Sequence, residues 1–108
     1  MVSAVTEMVD LFCADDTKYP EGILLVPIHT RGFQNCDLFF DHVFADDKEH
    51  VEGFKYFSQF KAFNELSEVL LGRMKGREND KQRILSYNIG LGLHDVLYAS
   101  KIYERLGC

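Results

Sequence analysis

Residues 84–106, ILSYNIGLGLHDVLYASKIYERL, decide the fold. RILSYNI (83–89) is short and largely apolar, and reads as a buried strand. The second half carries apolar residues at the helical period: Leu93, Val96, Leu97, Tyr103 and Leu106, with Ala99 and Ile102 widening the face. A strand that passes through glycines straight into a helix opens a β-α unit. Gly90-x-Gly92 gives the first two glycines of a GxGxxG fingerprint. The third would fall at position 95, where Asp95 stands. The two glycines therefore read equally as a tight strand-to-helix turn.

Working back from this segment, ILLVPI (23–28) is a continuous apolar run bounded by turn residues. Such a run fits a strand covered on both faces, as in a parallel sheet, with Pro27 at its end or at an edge. HVFA (42–45) is a second short strand, closed by Asp46-Asp47, and Asn35 is placed to cap a short helix over 37–41. The opening MVSAVT would serve as the tail end of a further strand. Phe54, Phe57, Phe60 and Phe63 recur every third residue through 51–63, and the acidic charge balance makes them core residues, not a base-stacking platform. Asn64 and Gly72 bracket the helix ELSEVLL as N-cap and C′ glycine. Strands alternating with helices over long crossovers predict an α/β fold with an at least partly parallel sheet.

The chain has 108 residues, enough for a single α/β domain over 1–108. Net charge is −5, which argues against a nucleic-acid backbone and an anionic membrane surface as partners. No apolar run approaches the ~20 residues of a spanning helix. The three cysteines, Cys13, Cys36 and Cys108, form no CxxC pair, so neither a zinc site nor a disulfide framework is indicated, and a cytoplasmic location is the simple expectation.

In open α/β sheets, ligands sit outside the carboxyl ends of the strands. Two segments occupy such positions. After ILLVPI come His29, Thr30 and Arg31: an imidazole that titrates near neutrality, a hydroxyl, and a planar cation suited to a carboxylate or phosphate. A hydrogen-bonded loop would use the same residues. After RILSY comes NIGLG. Asp46, Asp47, Glu49 and His50 could ligate a metal or cap a helix. His94-Asp95 could exchange a proton, although neighbours in a helix do not face one another.

The series Leu71-Gly72, Gly76-Arg77, Asn88-Ile89-Gly90 and Asp95 resembles the C-terminal signature of the ornithine cyclodeaminase/mu-crystallin family. SAVT followed by YPEGILLVP is similar to that family's last two Rossmann strands. The resemblance implies a partial Rossmann-like, mostly parallel sheet with flanking helices. It implies NAD or NADP as cofactor and a small-molecule amino acid or imino acid as substrate. It places the backbone of Asn88, Ile89 and Gly90 beside the nicotinamide.

Two departures from the family pattern follow. The family's loop aspartate after the ILLVP strand is absent, since His29-Thr30-Arg31 stand there and Asp37 is the first acid. An acid/base role then falls to His29, and unchanged turnover on His29→Ala in a complete relative would exclude it. The glycine-rich phosphate turn and a first domain also have no counterpart in these residues, which makes the chain the C-terminal fragment of a larger NAD(P)-binding protein, inactive alone. The alternative expectation is a non-enzymatic α/β interaction or assembly module. A partial sheet exposes an edge and an apolar face, so the expected partners are further copies in a homo-oligomer or the missing N-terminal half.

Overall fold

The computed structural model describes residues 2–3, 19–27 and 36–107. His29, Thr30, Arg31 and Asn35 lie outside the described residues. Among the described residues there are five strands: β1 (Val2–Ser3), β2 (Leu24–Pro27), β3 (His42–Ala45), β4 (Phe63–Glu65) and β5 (Ile84–Tyr87). They form one sheet in the order β1-β2-β5-β3-β4, and every neighbouring pair is parallel. The last strand thus occupies the centre. Leu85 pairs with Leu25 on one side and Val43 on the other, and Tyr87 lies opposite Ala45. This is the partial α/β, Rossmann-like arrangement expected.

Alternation sorts the strand residues onto two faces. Leu25, Val43, Ala45, Leu85 and Tyr87 point into the main core, where Tyr19, Phe40 and Val51 join them. Each such large side chain contributes about 1.5–3 kcal/mol by leaving water. The aromatic segment seals this layer. Phe54 meets Tyr87 edge-on with centroids 5.2 Å apart, and Phe57 meets Phe60 and Phe63 at 5.4 and 5.1 Å. The three-residue spacing of these rings is therefore packing against the core, from a run of turns that includes the 3-10 turn Phe57–Gln59 and ends in β4.

The opposite face is covered unevenly. Ile84, Ser86, His42 and Phe44 are buried, but Leu24 is 48% exposed. Burial on both faces, expected for 23–28, belongs instead to β3 and β5. The cause is topological: β2 lies beside two-residue β1, while β5 is flanked by β2 and β3.

The helix α1 (Leu66–Leu70) ends as the sequence suggests. Gly72 adopts φ +72, its N–H donates to Val69, and the Arg73 N–H reaches back to Glu68. That is a Schellman closure with glycine at C′. The start differs. Asn64 belongs to β4, and its side chain links elements: His42 Nε2 lies 3.0 Å from Asn64 Oδ1, and Asn64 Nδ2 donates to Glu68 Oε2 at 2.7 Å. Glu65 holds the cap position without a side-chain cap bond.

The helix α2 (Gly92–Leu106) follows β5 through residues 88–91. None of its residues is buried, and its apolar face is open. Among the described residues no helix is long and apolar enough to cross a membrane.

Candidate functional site

All strands being parallel, their carboxyl ends share one side of the sheet. There β3 releases Asp46 and Asp47, β4 runs into α1, and β5 releases Asn88, Ile89, Gly90 and Leu91. A groove of about 450 Å³ lies among them. Leu66, Leu70 and Leu91 form apolar walls, while Asp46, Ser67, Asn88 and His94 bring polar groups.

The turn after β5 is held from across the sheet. The Gly90 N–H donates to Asp46 Oδ2 at 2.6 Å. Asp46 Oδ1 accepts from the Asp47 N–H at 2.9 Å and lies 3.4 Å from His50 Nδ1. The Asp46 side chain is only 8% exposed. Its own N–H donates to the Tyr87 carbonyl, so the ends of β3 and β5 are stitched together at this point. Gly90 has φ +106, a conformation that L side chains rarely adopt. No atom lies within 4 Å of where its Cβ would sit, so the turn presents bare backbone to open space. The Asn88 amide oxygen accepts from Ser86 Oγ at 3.2 Å.

Of the three residues expected beside the nicotinamide, Asn88 and Gly90 line the groove, while Ile89 between them is 40% exposed and does not. Asp46, read from sequence as a metal ligand or a cap, is the partner of Gly90. Asp47 is the cap, accepting from the Glu49 N–H at the start of the 3-10 turn Lys48–His50. Among the described residues no group of three acidic, histidine or cysteine side chains is placed to hold a metal. His94 lines the groove. It makes no hydrogen bond to Asp95, as helix geometry requires of neighbours.

Sequence reasoning missed Asp46 as the partner of Gly90, because the two are 44 residues apart and meet only through the β3–β5 pairing. It also passed over the environment of Asp37. This carboxyl is 2% exposed, its Oδ1 has no hydrogen-bond partner among the described residues, and its Oδ2 accepts from the Tyr87 hydroxyl at 3.4 Å. Burial raises its pKa to about 6, and the hydrogen bonds from Tyr87 and the backbone only partly oppose this.

A larger cleft, of about 690 Å³, opens at the amino ends of the strands. Within it Lys61 Nζ lies 3.7 Å from Asp41 Oδ1, and Asp41 Oδ2 accepts from the backbone N–H of Arg83. The Gly76-Arg77 loop also works at this end. Arg77 donates to the Gln82 carbonyl at 2.6 Å and to the Gly22 carbonyl at 3.0 Å, tying the approach to β5 to the approach to β2.

The glycine turn and the groove lie at the carboxyl ends of the strands, where ligands sit in open α/β sheets. Sequence comparison makes the class specific. The family model of the ornithine cyclodeaminase/mu-crystallin family matches residues 29–107, and the chain belongs to this family. It is also similar to the nodulation efficiency protein NfeD of Rhizobium meliloti, with 32% identity over 97 residues. That alignment takes in 81% of this chain and 30% of the relative, so the chain spans under a third of the length of the protein it matches.

Proposed function

We propose that this chain is the C-terminal portion of an ornithine cyclodeaminase-like, NAD(P)-dependent enzyme acting on an amino or imino acid, inactive without the remaining domain. Asn88, Ile89 and Gly90 form the surface against which the nicotinamide end of the dinucleotide rests. His29, Thr30 and Arg31 are its candidates for the substrate side.

The observation that carries this reading is the Gly90 turn. It sits at the carboxyl end of the central strand, has no side chain, and faces open space beside apolar walls. A flat, weakly polar ring can approach bare backbone there, and a Cβ would stand in its way. The residues fit that end of the cofactor only. No glycine-rich phosphate turn of the GxGxxG type occurs in the sequence. When bound, the cofactor would supply hydride transfer; the chain would orient it through backbone groups and exclude water with Leu66, Leu70 and Leu91.

A thermal melt with and without millimolar NAD⁺ or NADPH tests the reading. Ligand at 100 times its Kd adds ~2.7 kcal/mol, several degrees for a domain of this size. A shift of that order with either dinucleotide is the expected result. No shift with both would remove the cofactor role from this chain and favour the second reading, an assembly module, which rests on the exposed apolar face of α2.

A further inference from the structure

The structure assigns Asp46 as the positioning residue of the turn formed by Asn88, Ile89 and Gly90: its carboxylate fixes the backbone of that turn by accepting the Gly90 N–H. The consequence for dinucleotide affinity rests on the proposed function; the consequence for the turn itself does not.

Three observations carry this. First, the turn has little else to hold it. It lies between the end of β5 and the start of α2, and α2 has no buried residue that would anchor its far side. Among the described residues, the bond from Gly90 to Asp46 is the hydrogen bond that ties the backbone of 89–91 to the sheet. Gly90 and Gly92 leave this segment free to adopt many conformations, and fixing each residue costs about 1–2 kcal/mol of backbone entropy. Second, the acceptor is itself held. Asp46 Oδ1 is engaged by the Asp47 N–H and faces His50 Nδ1, and the backbone N–H of Asp46 donates to Tyr87. The carboxylate therefore has its second oxygen, Oδ2, aimed at one place. Third, the contact is short, 2.6 Å, and its acceptor side chain is only 8% exposed, although Gly90 itself faces solvent. Hydrogen bonds to a charged acceptor are among the stronger ones in proteins.

The test uses the full chain with Asp46→Ala and Asp46→Asn, the second keeping an oxygen that can accept the Gly90 N–H. The first readout needs no ligand: amide hydrogen exchange by nuclear magnetic resonance. In Asp46→Ala, Gly90 should exchange at least about tenfold faster, a 1.4 kcal/mol loss at minimum, while Leu85 and Tyr87 in β5 stay protected. Asp46→Asn should restore the protection only in part, because its single amide oxygen replaces two that accept from the Asp47 and Gly90 N–H groups. Unchanged exchange at Gly90 in Asp46→Ala overturns the assignment, and loss of protection throughout β5 does so too, since it would make Asp46 a general fold residue. The second readout is titration with NAD⁺ and with NADPH. An affinity weakened about tenfold in Asp46→Ala and less in Asp46→Asn, in step with the Gly90 exchange, extends the role to the cofactor; a freed Gly90 with unchanged affinity overturns that extension. If the unmodified chain binds neither dinucleotide, the cofactor reading falls and the exchange result alone decides the role of Asp46.

Discussion

Asp37 shows how one carboxyl can set the pH dependence of the whole fold. Its ordinary pKa is 3.8, and burial raises it to about 6 in the folded chain. The unfolded chain releases this proton near 3.8, whereas the folded chain keeps it until about pH 6. Stability from this group is therefore whole below 3.8, falls as the pH rises between the two values, and stays low above 6. The gap corresponds to roughly 3 kcal/mol at most. Asp37→Asn keeps the shape and the acceptor for Tyr87 and removes the ionisation. It should melt several degrees higher than the unmodified chain near neutral pH and show little advantage in acid. Melts across this range check it, and equal melting temperatures at neutral pH would contradict the assignment of a buried, poorly compensated carboxyl.

At the scale of elements, the central strand is the point on which the fold turns. β5 is buried along its whole length, and Arg77 clasps its entrance to that of β2. Arg77→Lys retains the charge but not the planar fork that serves two carbonyls at once. It should cost about 1 kcal/mol, read as a lower urea midpoint, and an unchanged midpoint would mean the clasp contributes nothing. How legible these elements were depends on how local their cause is. HVFA and ILSY are dense apolar runs, and the observed strands coincide with them. Gly72 announced the end of α1 because the left-handed C′ residue is a local demand. β4 went unseen because Phe63, Asn64 and Glu65 carry no alternation of their own; they become a strand by pairing with Val43, Phe44 and Ala45. Asn64 passed for a cap because its real partners, His42 and Glu68, are fixed by that same pairing. At the site, Gly90 was legible from the turn it must make, whereas Asp46 was not, since nothing local in ADD separates the residue that caps from the one that reaches across the sheet.

At the scale of the whole molecule, α2 is the feature out of balance. Leu93, Val96, Tyr98, Ile102, Tyr103 and Leu106 are each at least 58% exposed. Leu24 on β2 is also open. We propose that exposed apolar surface of this extent is covered by a partner, since leaving it in water forgoes about 25 cal/mol for every Å² that a partner could cover. In isolation, the chain is expected to self-associate, with an average mass by light scattering that rises with concentration. Ile102→Lys separates the two routes. Ile102 is 58% exposed and packs into no core, so a charge there should leave the melting temperature within about a degree at low concentration. If α2 forms the contact between copies, the same substitution should shift the light-scattering mass towards the monomer. If the mass stays high, the sheet edges form it and α2 is free to meet the rest of a longer enzyme. A monodisperse monomer of the unmodified chain at high concentration would contradict self-association by either surface.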